Sequence, residues 1–168
     1  MGKIFKVNGK IKVLPLIGLT LFPLLGGGVV GYLNINSFGI YEKLDKPIFA
    51  PPSIVFIIVW AVLYLLMGFA SYRIYMLRDQ GKDVGTSLFF YITQLLLNYL
   101  WPFIFFTFRL YGLAFIELII LTIFIIITFI KFIKLDKIAG ILFVPYILWV
   151  IFAGILNYYI WWKNEMYI

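Results

Sequence analysis

Long apolar stretches separated by short polar punctuation dominate this chain. Five stretches reach the roughly 20 mainly apolar residues that a helix needs to cross a hydrocarbon core. They run Val13 to Leu33, Ser53 to Tyr75, Ser87 to Phe106, Gly112 to Phe132 and Ala139 to Trp162. The connection from Asn34 to Pro52 is the longest. The others are a few residues each, which favours antiparallel neighbours. The pattern predicts an all-α integral membrane bundle of five transmembrane helices, residues 1–168 forming one domain. The lysine-rich start before Val13 imitates a signal peptide, but no small-x-small cleavage site follows it, so it reads as a retained first helix.

Composition supports lipid as the solvent. Of 168 residues, 64% are hydrophobic and 12% charged, with mean hydropathy +1.06; soluble domains sit near half apolar and a quarter charged. The net charge of +7 falls between the apolar runs, so it speaks for headgroups and orientation rather than nucleic acid. Ten basic residues lie on one side: Lys3, Lys6, Lys10, Lys12, Arg73, Arg78, Lys82, Lys131, Lys134 and Lys137. Four lie on the other: Lys43, Lys46, Arg109 and Lys163. This bias predicts a cytoplasmic N-terminus. Cysteine and histidine are absent, which excludes disulfides, Cys/His zinc sites and histidine-based triads.

Within the spans, helical spacing gathers polar and aromatic residues into stripes. Phe56, Trp60 and Tyr64 share one face. So do Gln94, Asn98, Trp101 and Phe105, and likewise Tyr146, Trp149, Ala153 and Asn157. Amides tie membrane helices together and aromatics fill space; three such stripes also suit a flat, aromatic-lined pocket. Glu117 is the clear intramembrane carboxylate, with pairing to Arg109 or the headgroups set against a functional role. Gly26, Gly27, Gly28 and Gly31 suit close helix packing, or a ligand against bare backbone. Pro47, Pro51 and Pro52 stiffen the segment before the second span and suit its first turn, suggesting a lid with Lys46 at headgroup depth. Leu156, Tyr158 and Lys163 satisfy the loose sterol-contact pattern.

Four stretches, "GLTLFPLLGG", "KPIFAPP" with "VWAVLYLLMGFASY", "QLLLNYLWPFIFF" and "PYILWVIFAGILNYYIW", resemble the TspO/translocator protein (peripheral benzodiazepine receptor) family in order and over nearly the whole chain, as a bacterial-type member. The resemblance implies a receptor or sensor in a bacterial cell membrane, binding porphyrin, notably protoporphyrin IX, and sterol or isoquinoline-type ligands. It also implies a homodimer, no nucleic acid partner and no required cofactor. Its pocket would fall on Trp60, Tyr64, Asn98, Trp101, Tyr146, Trp149, Ala153 and Leu156, with Pro51 and Pro52 anchoring the lid; Phe56, from the stripe in the second span, and Phe49 complete the candidate ligand-binding residues. The alternatives are a light-dependent porphyrin-degrading enzyme, with Trp60 and Trp149 as its photochemical residues, and a porphyrin or sterol transporter. The chain departs from the family pattern at Phe49, Ala50 and Leu113, and in the stretch Phe89 to Thr93, where some members carry a glycine dimer seam.

Overall fold

The computed structural model describes residues 6, 7 and 9–166, with only the backbone of Asn36 and Phe38. Lys3, counted in the charge bias, lies outside them. Seven α-helices occur among the described residues: α1 (Val13–Leu33), α2 (Phe38–Lys43), α3 (Ser53–Met76), α4 (Gly85–Pro102), α5 (Tyr111–Leu135), α6 (Lys137–Ile141) and α7 (Val144–Asn164). Five helical stretches are long and apolar enough to span a membrane, the last being α6 and α7 in succession. In lipid a helix satisfies its own backbone groups, so these apolar runs have no cheaper conformation.

Prolines set several boundaries. Pro52 flanks the start of α3 in extended geometry, where a missing N–H leaves no helical bond unmade. Pro102 ends the regular part of α4. It cannot donate to the preceding turn, and the chain widens into a π-type turn over Phe103–Thr107, with Phe108 N–H bonded to the Phe103 carbonyl at 2.9 Å. Arg109 then takes a left-handed φ of 57° in the turn to α5. The apolar run from Ala139 to Trp162 is not one straight helix: a turn at Leu142–Phe143 separates α6 from α7, which restarts with Pro145 in its first turn. The long connection likewise contains α2 and a tight 3₁₀ turn, Ile35–Ser37.

Helix α1 lies along α3, α4 along α5, and α5 along α7. At the basic end the packing is dense. The ideal Cβ of an alanine at Gly68 would lie 2.5 Å from Thr20 Cα and 2.9 Å from the Leu19 carbonyl oxygen. Arg73 grips Asp136 through two hydrogen bonds, Nε to Oδ1 at 2.9 Å and Nη2 to Oδ2 at 2.7 Å, and Nη1 donates to the Lys6 carbonyl at 3.3 Å. Asp136 also accepts from the Ala139 N–H at 2.7 Å, capping α6. Burial alone would raise the Asp136 carboxyl, but the Arg73 and backbone hydrogen bonds outweigh it and hold it below its ordinary value.

Candidate ligand-binding site

The other end of the bundle is open. A cavity of about 450 Å³ lies among α1, α3, α4, α5 and α7, within the range of about 300–1,000 Å³ usual for small-molecule sites. Its aromatic walls come from Phe56, Trp60 and Tyr64 on α3, and from Trp101 on α4 and Phe106 just beyond it. Leu118 and Leu121 of α5 and Ala153 of α7 contribute apolar surface. The wall from α1 is bare backbone at Gly27, Gly28 and Gly31.

The glycines divide between the two roles the sequence allowed. A Cβ at Gly27 would strike the Tyr64 ring, and one at Gly26 the Tyr99 ring. These two let α1 approach its neighbours, and the Tyr99 hydroxyl donates to the Pro23 carbonyl at 2.8 Å. Gly28 and Gly31 meet nothing within 4 Å and face the cavity. Tyr32 and Ile57, also on the lining, are exposed. Both belong to apolar spans, so this side of the cavity opens toward hydrocarbon.

One polar line touches the cavity. The Tyr64 hydroxyl donates to Asn98 Oδ1 at 2.7 Å, Asn98 Nδ2 donates to the Tyr146 hydroxyl at 3.1 Å, and Tyr146 donates to Gln94 Oε1 at 2.8 Å. Buried polar groups in a low dielectric need such partners. The line fixes the Tyr64 and Asn98 side chains, and most of the remaining wall is apolar. Trp101 is fixed similarly: its indole N–H donates to Asn157 Oδ1 at 3.2 Å, Asn157 Nδ2 donates to the Tyr111 carbonyl at 2.9 Å, and the ring stacks on Phe105 with centroids 4.8 Å apart.

Phe56, Trp60, Tyr64, Asn98, Trp101 and Ala153 share the main cavity. Leu156 lines a crevice of about 10 Å³ beside it, joined through Phe56, Trp101 and Ala153 and holding one water at most. Tyr146 stands fully buried behind Asn98. Trp149 stands behind Phe56, centroids 5.6 Å apart, and is absent from both linings. Phe49 reaches the site indirectly, through Phe152, Trp149 and Phe56 in turn. Pro51 and Pro52 hold the segment above α3, where the Tyr41 hydroxyl donates to the Pro51 carbonyl at 2.9 Å. Sequence reasoning missed Leu118, Leu121, Ile57, Pro102 and Phe106. Apolar residues on membrane helices give no sign of whether they face lipid, core or cavity.

Lys46 is engaged rather than free. Its ammonium lies 3.0 Å from Glu42 Oε2 and over the Tyr41 ring. Glu42 Oε1 also accepts from the Ser53 N–H at 3.3 Å, at the start of α3. The hydrogen bond from Lys46, then that from Ser53, holds the Glu42 carboxyl below its ordinary range. Burial, with Glu42 beside it, pushes the Tyr41 phenol up to about 12. Asn164 ties the same segment to α7: the Asp45 N–H donates to its Oδ1, and its Nδ2 donates to the Asp45 carbonyl, each at 3.0 Å.

Two expectations need correction. Glu117 does not pair with Arg109: it is buried on the inward face of α5, and neither carboxylate oxygen has a partner among the described residues, whereas Arg109 is exposed in the turn before α5. Leu156 and Tyr158 do not form one sterol-contact surface, because Leu156 is buried while Tyr158 is half exposed. Among the described residues no cluster of metal-binding side chains occurs.

The class is thus a five-span helical membrane protein with an aromatic-walled cavity toward one end. The TspO/MBR family profile matches residues 19–163, and the chain belongs to that family. It is 35% identical over 154 residues to the translocator protein of Bos taurus, covering 90% of this chain and 91% of that protein. It is 34% identical over 156 residues to the translocator protein of Homo sapiens, covering 90% of each. It is 37% identical over 118 residues to the tryptophan-rich sensory protein of Cereibacter sphaeroides, covering 70% of this chain and 72% of that protein.

Proposed function

We propose that this protein is a membrane receptor that binds a flat, hydrophobic aromatic ligand, a porphyrin such as protoporphyrin IX, in the cavity between α1 and the aromatic walls of α3 and α4. The observation that carries the reading is the combination of walls. Phe56, Trp60, Tyr64 and Trp101 offer aromatic surface, and Gly28 and Gly31 opposite have open space where side chains would stand. Aromatic faces favour offset-stacked or edge-to-face partners, and a backbone wall leaves room for a broad plate. The hydrogen bond between Tyr64 and Asn98 is already made and most of the lining is apolar, so binding rests chiefly on apolar burial and stacking. The relatives' names speak of translocation and of sensing; both begin with binding. The basic end is assigned to the cytoplasmic side, by the excess of Lys and Arg there, which puts the cavity in the outer half of the bilayer.

Ala153 provides the test. It is buried and lines both the main cavity and the crevice beside it. Ala153→Phe fills that space. Titration of the purified protein with protoporphyrin IX should show affinity weakened by at least about tenfold, with little change in thermal unfolding. Unchanged affinity in the folded variant would put the ligand elsewhere.

A further inference from the structure

At the basic end three ammonium groups without a carboxylate partner among the described residues gather at the start of α4 and the end of α5. Lys131 and Lys134 stand three residues apart in the last two turns of α5, and so on neighbouring positions of one helix face. Lys82, in the turn before α4, reaches across to the end of α5, its Nζ 3.5 Å from the Leu135 carbonyl oxygen. Three other basic groups at this end do have acid partners: Lys12 meets Asp79 at 2.7 Å, Arg78 meets Asp79 at 3.8 Å, and Arg73 holds Asp136. No carboxylate among the described residues lies within ion-pair distance of Lys82, Lys131 or Lys134. The carboxylates nearest in sequence are committed. Asp136 serves Arg73 and the Ala139 N–H, and Asp83 accepts from the Gly85 N–H at 3.0 Å.

Below these cations the surface is apolar and aromatic. The Lys131 ammonium sits 5.2 Å from the centroid of the Phe90 ring, and Phe90 packs on Phe124 at 5.9 Å. Ile130 is exposed beside them. The basic end of α5 marks the edge of an apolar span, so the cations stand at headgroup depth and the rings just beneath. We propose that Lys82, Lys131 and Lys134, above Phe90 and Phe124, form a binding site for an anionic phospholipid. Its phosphate lies among the three ammonium groups and an acyl chain runs down the aromatic surface between α4 and α5. Cation clusters at the membrane edge attract anionic headgroups through charge, and the rings supply apolar contact that a small water-soluble anion would not use. The site lies at the opposite end of the bundle from the cavity and does not depend on what the cavity binds.

Native mass spectrometry of the full chain, released from micelles holding equal amounts of phosphatidylglycerol and phosphatidylcholine with matched acyl chains, tests this. Wild type should retain phosphatidylglycerol in preference. The Lys82→Gln, Lys131→Gln, Lys134→Gln triple variant should lose that preference, at roughly fivefold per lysine removed. Lys43→Gln, at the other end of the molecule, should keep it. Unfolding in zwitterionic micelles checks that the triple variant is folded; if it is not, Lys134→Gln alone, at an exposed position, should show the single-lysine loss. Millimolar inorganic phosphate should leave the bound lipid in place. Equal retention of the two lipids by wild type, an undiminished preference in the folded triple or single variant, or displacement of the lipid by inorganic phosphate would each overturn the proposal. Displacement by an acidic peptide but not by phosphate would reassign the patch to a protein partner and overturn it likewise.

Discussion

The two halves of α3 differ sharply although both belong to one apolar span. From Leu63 to Met76 most residues are buried, with Met67, Ala70, Tyr72 and Ile74 inaccessible. From Ser53 to Val62 none is. The same helix is a core element over its last four turns and a cavity wall over its first three. The difference comes from what α1 presents. Near Thr20 the two backbones touch at Gly68. Beyond Gly27, Gly28 and Gly31 leave open space at the cavity. Without a hydrophobic drive between helices in lipid, close approach depends on small residues and polar ties. A cavity persists where the tied end holds the helices while the other end lacks side chains to fill the gap.

The largest expected effect is therefore at the tied end. Arg73→Ala leaves Asp136 with the Ala139 N–H but no cation, and removing one partner of a buried pair costs about 3–5 kcal/mol. The variant should unfold in detergent at a clearly lower temperature than wild type; an unchanged melting curve would show that the clamp does not hold the bundle. Next comes Gly68→Leu. Its neighbours are backbone atoms of α1, which cannot rotate away, and overpacking of this kind costs about 1–3 kcal/mol. Thermal unfolding should register that loss, and stability equal to wild type would mean that α1 and α3 are not locked at this crossing.

A smaller effect is expected over the cavity. Glu42 has a depressed carboxyl pKa in the folded protein. Its ties to Lys46 and Ser53 are therefore fully present above its ordinary value near 4.5 and are lost as pH falls through the still lower folded value. Protection of residues 34–52 against hydrogen exchange, taken relative to the intrinsic rate at each pH, should fall on acidification through that window. Glu42→Gln should show lower protection already at neutral pH, with little further change in protection on acidification. An identical pH response in the two proteins would show that Glu42 does not hold this segment to α3. The effect is small because the pair is exposed.

How much was legible in the sequence follows the same division. Five apolar runs mark five membrane-crossing stretches, since length and hydropathy alone decide that. The turn at Leu142–Phe143 was hidden because hydropathy is blind to backbone direction: the run stays apolar through the break, and Pro145 starts α7 as readily as it ends α6. On α3, the spacing of Phe56, Trp60 and Tyr64 reads as one face, and they do share one wall. On α7 the spacing misleads by depth. Tyr146, Trp149 and Ala153 share a stripe, but hydrogen bonds draw Tyr146 into the core and Phe56 screens Trp149, so only Ala153 reaches the cavity. The contribution of α1 was half visible: the glycines stand out in the sequence, but which of them meet a ring and which meet open space depends on Tyr64 and Tyr99 from other helices.

The central claim is that the space beside α1 holds the ligand, and two glycines of that helix test it most directly. Gly18 and Gly28 both have nothing within 4 Å, but only Gly28 lines the cavity. Either accepts leucine without a clash at its Cβ, and helix propensity favours the change by about 0.5–1 kcal/mol, so both variants should fold. Titrated with protoporphyrin IX side by side with wild type, Gly28→Leu should bind on the order of tenfold more weakly, while Gly18→Leu should match wild type. Affinity unchanged in Gly28→Leu, or lowered equally in both variants, would contradict the account.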